Sequence, residues 1–328
     1  GAKASSPWIV SRLQAIQLPR FDFERYCRGR ASFSADQWID LLVASVGLDP
    51  AKLSRRAKLF QLTRLVPYVE RNYNLVELGP KGTGKSHIYS EFSPHGILVS
   101  GGEVTLAKLF VNNATRRIGL VGYWDVVAFD EFAGRKRVEH SLVDMLKNYL
   151  ANKSFSRGDS TITAEASMVF VGNTTRTVPA MLASADLFEA LPEAYHDTAY
   201  MDRIHYYLPG WEVDIVRPEL FSRGYGLIVD YLAEALRHLR TLDYSGDLDT
   251  LATLDPAMSK RDQDAVRKTF SGLVKLIFPA RDGAPEELEE LLRFAIEGRK
   301  RVKDQIIRLD DTMAASGSHF TYMLGRVD

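Results

Sequence analysis

Short apolar runs alternate with longer amphipathic stretches through the middle of this chain. The runs sit at 75–78, 97–99, 126–129, 168–171 and 204–208, each bounded by glycine or polar turn residues. Runs of this length predict buried parallel strands with helices on both faces. Pro209-Gly210 and then Arg217-Pro218 end the alternation, and helix-period patterns follow at 226–239, 262–276 and 285–309. Ahead of it, residues 1–50 read as short helical pieces separated by Pro19, Gly29 and Gly47. There Ser34-Ala35-Asp36-Gln37 has the form of a capped helix start before 38–46. Leu59, Leu62, Leu65, Val66 and Val69 keep a helical spacing across 53–71. A helix is also expected over 105–117, with Arg116-Arg117 complementing its carboxyl-terminal dipole. The predicted fold class is therefore α/β: a helical segment or linker at 1–50, an α/β domain with a central parallel sheet at 51–215, an α-helical lid at 216–310, and a tail at 311–328.

Composition narrows the classes of function. The 328 residues are 45% hydrophobic and 26% charged, an ordinary globular balance that excludes a disordered chain. Lys+Arg and Asp+Glu both number 42, so any contact with nucleic acid has to come from local cationic patches. No run of about 18 apolar residues occurs, and no signal-peptide core opens the chain, so no membrane partner is expected. Cys27 is the single cysteine and the seven histidines are scattered, which excludes a disulfide framework and a His/Cys metal centre and fits a reducing cytoplasm. The start at Gly1-Ala2-Lys3 and the end at Gly325-Arg326-Val327-Asp328, after a strand-like 319–323, lead to the expectation of a piece of a longer protein.

The candidate chemistry begins at Gly79-Pro80-Lys81-Gly82-Thr83-Gly84-Lys85-Ser86, a full match to the P-loop pattern, between a strand-like run and a helix-compatible segment. Glycines there let backbone amides curl around the phosphates of ATP. Lys85 supplies a cation for the β- and γ-phosphates, and the Ser86 hydroxyl a ligand for Mg2+. The run 126–129 ends in Asp130-Glu131. In such a fold the carboxyl ends of the strands gather beside the phosphate loop. Asp130 is then expected to hold Mg2+ and Glu131 to polarise the attacking water. The run 168–171 leads to Asn173, which either orients that water or merely caps a turn. Arg203, ahead of the last run, either reaches the ATP of a neighbouring subunit or makes a surface ion pair. Arg267 is the expected lid contact to the γ-phosphate, with Arg261 as the alternative, although charges on an amphipathic helix commonly form its wet face.

Taken in order, these features resemble the AAA+ superfamily of P-loop ATPases. A narrower resemblance, to the BrxL family of Lon-like AAA+ proteins from BREX phage-resistance systems, rests on four stretches. They are Ile39-Asp40-Leu41-Leu42, Asn72-Tyr73-Asn74-Leu75-Val76-Glu77-Leu78, Ser100-Gly101-Gly102, and residues 119–131 with Gly122-Tyr123-Trp124-Asp125-Val126-Val127-Ala128-Phe129-Asp130-Glu131. The resemblance runs over residues 30–315. It implies a homo-oligomer, a hexameric ring alone or stacked in pairs, that binds double-stranded DNA and acts with other BREX proteins in restricting phage. It also strengthens the trans-acting reading of Arg203. Full-length members carry an N-terminal DNA-binding region and a C-terminal Lon-like domain; neither is expected within this chain, and no Ser–Lys protease dyad is assigned.

The fold's replicative-helicase relatives place a hairpin between the Asp-Glu strand and the Asn strand. Here that stretch is 151–166, with a turn signal at Gly158-Asp159. Lys153 and Arg157 are expected near its tip, meeting a phosphate backbone inside the ring. Arg135-Lys136-Arg137 is a second basic cluster, read as a solvated loop. An alternative is a Lon-like unfoldase that feeds polypeptide to a protease domain, for which a pore-facing Tyr123 or Trp124 would speak.

Overall fold

Five strands form a fully parallel sheet and are numbered here in chain order: β1 Asn74–Gly79, β2 Gly96–Val99, β3 Val126–Phe129, β4 Ser167–Asn173 and β5 Tyr206–Pro209. They belong to a computed structural model that describes residues 20–99, 104–112, 115, 117–130, 140–157, 160–174, 177–184, 186–312 and 319–325. The spatial order is β2-β3-β4-β1-β5. Register runs Leu75 opposite Val169 and Tyr206, and Val127 opposite Met168 and Ile97. Alternate residues serve opposite faces. Leu75, Val126, Ala128, Val169, Val171, Tyr206 and Leu208 face one apolar cluster, whereas Val76, Val127, Phe129, Met168, Phe170 and Tyr207 face another. Burial on both faces is why β1, β3, β4 and β5 read as apolar runs, while the edge strand β2 is only half-buried.

The first face carries the helices Ala35–Ser45, Arg55–Thr63, Val66–Val69, Val229–Thr241 and Lys260–Ile277 in one cluster. The N-terminal pieces and the C-terminal helices therefore share a core. Ser34 and Gln37 close the expected capping box, with bonds of 3.2 and 3.0 Å. The other face carries His140–Asn152 and the antiparallel hairpin Ser154–Arg157/Ser160–Thr163. The last long helix, Pro285–Leu309, has the predicted bounds and crosses the edge strand β5, joining both clusters through Phe294 on one side and Val302 on the other. Gly298 permits that crossing, because a Cβ there would collide with the Tyr206 ring. Covering an edge strand in this way removes a template for unwanted pairing.

Two expectations need correction. The helix over 105–117 is only Leu106–Leu109; Val111–Asn112 then turns and pairs antiparallel with Arg117–Ile118. The Asn112 side chain accepts from the Thr115 amide at 3.1 Å, a local turn that competes with helix. Arg117 thus lies exposed on a strand with no helix end to complement, and Arg116 lies outside the described residues. The second correction is at 204–208. Asp197 caps a short helix Thr198–Met201 at the Tyr200 amide (2.8 Å), which delays β5 to Tyr206.

Candidate nucleotide site

β1 delivers Gly79 to the carboxyl edge of the sheet, and residues 80–84 turn back into the helix Lys85–Ser90. Gly82 (φ 82°) and Gly84 (φ 76°) occupy the left-handed region that favours glycine. Gly79 is required for a different reason: a Cβ on it would collide with the backbone of Gly210, just past β5. The segment after β5 then folds over the loop, with the Val216 amide donating to the Gly82 carbonyl at 2.7 Å. The Cβ position of Gly82 is 3.4 Å from Ile215 Cγ2. This cover leaves no mark in the sequence, where 217–218 carry only a break signal.

Lys85 is only 6% exposed. Its ammonium donates to the carbonyls of Pro80 (2.6 Å) and Gly79 (3.3 Å) and to Thr83 Oγ1 (3.4 Å). Burial, and secondarily Arg64, holds its pKa below the usual lysine range, while Glu77 and Asp130 oppose the shift. Ser86 Oγ donates to Asp130 Oδ2 at 2.7 Å, so the two expected Mg2+ ligands meet across β1 and β3. Asn173 ends β4 opposite Gly79, and the following amide, of Thr174, donates to the Gly79 carbonyl at 3.1 Å. Residues 81–87, Asp130 and Asn173 line one cleft of about 330 Å3, which His87 joins without having been anticipated. A hydroxyl beside a carboxylate, an ammonium bound only to neutral oxygens, and a loop of left-handed glycines together fit a metal-bound polyphosphate. Glu131 and the cluster 135–137 lie outside the described residues.

Beneath the loop lies a pair that the sequence reading passed over. Glu77, within the apolar run of β1, is 0% exposed and receives Arg64 Nε (3.0 Å) and Nη2 (2.5 Å); the Arg64 side chain is 1% exposed. The available signal was the charge itself, since a carboxylate inside a buried strand demands a partner. Glu77→Ala leaves the guanidinium buried without a counter-charge, held only by Gln61 Oε1 (2.8 Å), and is expected to cost about 3–5 kcal/mol in urea unfolding. The paired Arg64→Met/Glu77→Leu change should recover most of it. An unshifted midpoint in the single variant would remove the pair as a support of the loop.

The remaining candidates stand at the opposite edge of the sheet. Asn74, the first residue of β1, donates its side-chain amide to the Arg203 carbonyl at 2.8 Å. Arg203 is thus the length of β1 away from its own glycine loop. Arg267 corrects the sequence reading: it pairs with Asp249 at 2.6 Å and lines a second cleft together with Arg203 and Arg261. Its helix lays Lys268 against the carbonyls of Arg71 (2.7 Å) and Asn72 (3.0 Å), just before β1, which places these side chains at the amino edge. Lys153 is a second correction. It sits at the base of the hairpin, where its carbonyl accepts the Ala164 amide at 3.0 Å, and lines the same second cleft. Arg157 ends the first hairpin strand opposite Ser160, and 158–159 lie outside the described residues.

A buried ionic network sets the backbone beside Arg203. Arg299 reaches Asp262 at 2.7 Å and Asp202 at 2.8 Å and also donates to the Ile204 carbonyl; Arg261 holds Asp202 at 2.5 Å. Burial pushes the Asp202 pKa up, but Arg299 and Arg261 outweigh it and hold the carboxyl below its usual range.

Among the described residues no helix is long and apolar enough to cross a membrane. The family model described as "Lon-like protease BrxL-like, ATPase domain" matches residues 8–317. The Lon-like protease BrxL of Bacillus cereus (strain H3081.97) is 48% identical over 309 residues, which is 94% of this chain and 46% of that protein. The protein of the same name from Escherichia coli O9:H4 (strain HS) is 48% identical over 305 residues, 93% of this chain and 44% of its own length. The chain thus spans less than half the length of these curated relatives. At this identity, and with the family model running over nearly all of it, the chain belongs to the BrxL-like ATPase-domain family.

Proposed function

We propose that this chain hydrolyses Mg·ATP as the AAA+ ring subunit of a cytoplasmic, DNA-engaging phage-restriction protein of the BREX type. The observation that carries the nucleotide part is the 2.7 Å hydrogen bond between Ser86 and Asp130 beside the buried ammonium of Lys85. In this reading the amides of 82–86 hold the phosphates, and Lys85 turns from the Pro80 carbonyl to the triphosphate. Ser86 and Asp130 hold Mg2+, which when bound offsets phosphate charge. Glu131 takes the proton of the attacking water, Asn173 orients that water, and Arg203 of a neighbouring copy meets the charge that develops on the γ-phosphate. Glu131→Gln should retain ATP binding and lower turnover at least about a hundredfold; unchanged hydrolysis would remove Glu131 from this role.

DNA engagement rests on the resemblance drawn from the sequence and on the hairpin, whose first strand ends in Arg157. Charge reversal at Arg157 should weaken duplex binding and lower the salt slope by about one. Equal affinity and slope would discard the hairpin contact. The unfoldase alternative is favoured by one observation, the 73% exposure of Tyr123. ATPase rate and sedimentation size, measured with and without duplex DNA on this chain and on the full-length protein, separate the two. Stimulation by DNA supports the first, and stimulation only by unfolded polypeptide supports the second.

A further inference from the structure

Charge ties down the segment that covers the glycine loop. Glu212 ends the turn Gly210–Glu212, between Gly210, whose backbone meets Gly79, and Val216, whose amide bonds the Gly82 carbonyl. Its carboxylate receives Arg56 Nε at 2.6 Å and Arg301 Nη2 at 3.5 Å. Arg56 turns its other two nitrogens to Glu297, at 2.9 and 2.5 Å, and Arg301 donates to the same Glu297 carboxylate. Two arginines thus alternate with two glutamates across the helix Arg55–Thr63, the cover and the helix Pro285–Leu309. The Arg56 guanidinium also lies over the rings of Phe60 (4.9 Å) and Phe294 (5.9 Å), which limits its rotamers and presents its fork to both glutamates.

We propose that Glu212 is a positioning residue for nucleotide: through Arg56 and Arg301 it latches residues 210–216 onto the glycine loop and keeps that loop in its phosphate-binding shape. The proposal rests on the reading of 79–86 as an ATP cradle. The latch matters more with nucleotide bound than without it. In the free protein the Lys85 ammonium ties the loop together through Gly79, Pro80 and Thr83. Once that ammonium turns to a triphosphate, these bonds are given up. The long-range backbone ties that remain among the described residues are the Thr174 amide on Gly79 and the Val216 amide on Gly82. Gly82 and Gly84 have the most backbone freedom to lose, so the loop does not hold its left-handed shape by itself. A contact stronger in the bound state than in the free one raises affinity by that difference.

A neighbouring pair supplies the control. Arg55 and Glu290 join the same two helices, with bonds of 3.1 and 2.7 Å, and among the described residues neither bonds to the cover. Losing that pair loosens helix on helix; losing Glu212 frees the cover. Salt separates the latch from packing as well. The four latch side chains are 17–42% exposed and are screened by salt, whereas the buried contacts of Gly210 and Val213 are indifferent to it.

The test compares Glu212→Gln with Glu290→Gln, each in this chain. In Glu212→Gln, binding of a non-hydrolysable Mg·ATP analogue should weaken about fivefold, with turnover at saturating ATP unchanged. Without nucleotide, its Val216 amide should exchange with deuterium about fivefold faster. Glu290→Gln should match the parent in all three. The gap in affinity between Glu212→Gln and the parent should close from about 0.1 to 1 M NaCl, as the screening length falls from about 10 to about 3 Å. Parent-like affinity in Glu212→Gln overturns the proposal. An equal loss in Glu290→Gln also overturns it and assigns the effect to helix docking, as does a loss without faster exchange at Val216, which takes the cover out of the account. Failure of the underlying reading shows separately, as analogue binding by Lys85→Ala that equals the parent's.

Discussion

Lys85→Ala is expected to abolish nucleotide binding and hydrolysis while leaving the apo protein close to its original stability. The two effects separate because of where the ammonium sits. In the structure it is buried and bound only to neutral oxygens, those of Gly79, Pro80 and Thr83. Burial already disfavours its charged form, so its removal forfeits little in the apo state. Against a triphosphate the same ammonium makes charge-assisted bonds worth about 1.5–3 kcal/mol each, so two of them account for at least a hundredfold in affinity. Thermal unfolding with and without Mg·ATP measures both quantities. A protein in about a hundredfold excess of ligand over Kd gains about 2.7 kcal/mol. The parent should show that gain and the variant should not. A variant that is still stabilised by nucleotide would remove Lys85 from the phosphate site.

Arg203→Ala should cut hydrolysis by the assembled form about 10³-fold or more, with nucleotide affinity of the dilute chain unchanged. The argument is geometric. The Arg203 backbone is bonded to Asn74 at the start of β1, while the glycine loop begins at the end of the same strand. Six residues of parallel strand put about 16–20 Å between the two, beyond the span of a side chain folded back onto the Ala199 carbonyl. Any service to ATP must therefore be rendered across a subunit boundary. In the proposed ring, specific activity of the parent should rise with protein concentration, and that of the variant should stay flat. Monomeric parent protein that hydrolyses as fast as the assembled form would exclude the trans role.

Much of the fold was legible because its signals are local. Apolar runs bounded by turn residues mark strands buried on both faces, the Ser34–Gln37 pair marks a helix start, and Pro285 with its acidic first turn marks another. The exceptions have physical causes. Residues 105–117 have apolar positions compatible with a helix, yet the Asn112 turn redirects them into a hairpin. The cover that 215–216 places over the glycine loop left no trace in periodicity, since it depends on where β5 ends.

What the residues alone determined about this protein is its glycine loop at 79–86, the acid that faces Ser86, and the strand that carries Asn173. Each of these is specified within a few positions by backbone freedom and strand burial. Tertiary structure decided everything that depends on which edge of the sheet a side chain reaches. Arg267 belongs with Arg203 rather than with its own Lys85, and Lys153 belongs at the foot of the hairpin rather than at its tip. No periodicity encodes this, because an amphipathic pattern says only that one face of a helix is buried. Where the helix Lys260–Ile277 comes to rest is set by its packing on Val66–Val69, some 200 residues away in the chain, and by the buried anchors Asp262 and Arg299.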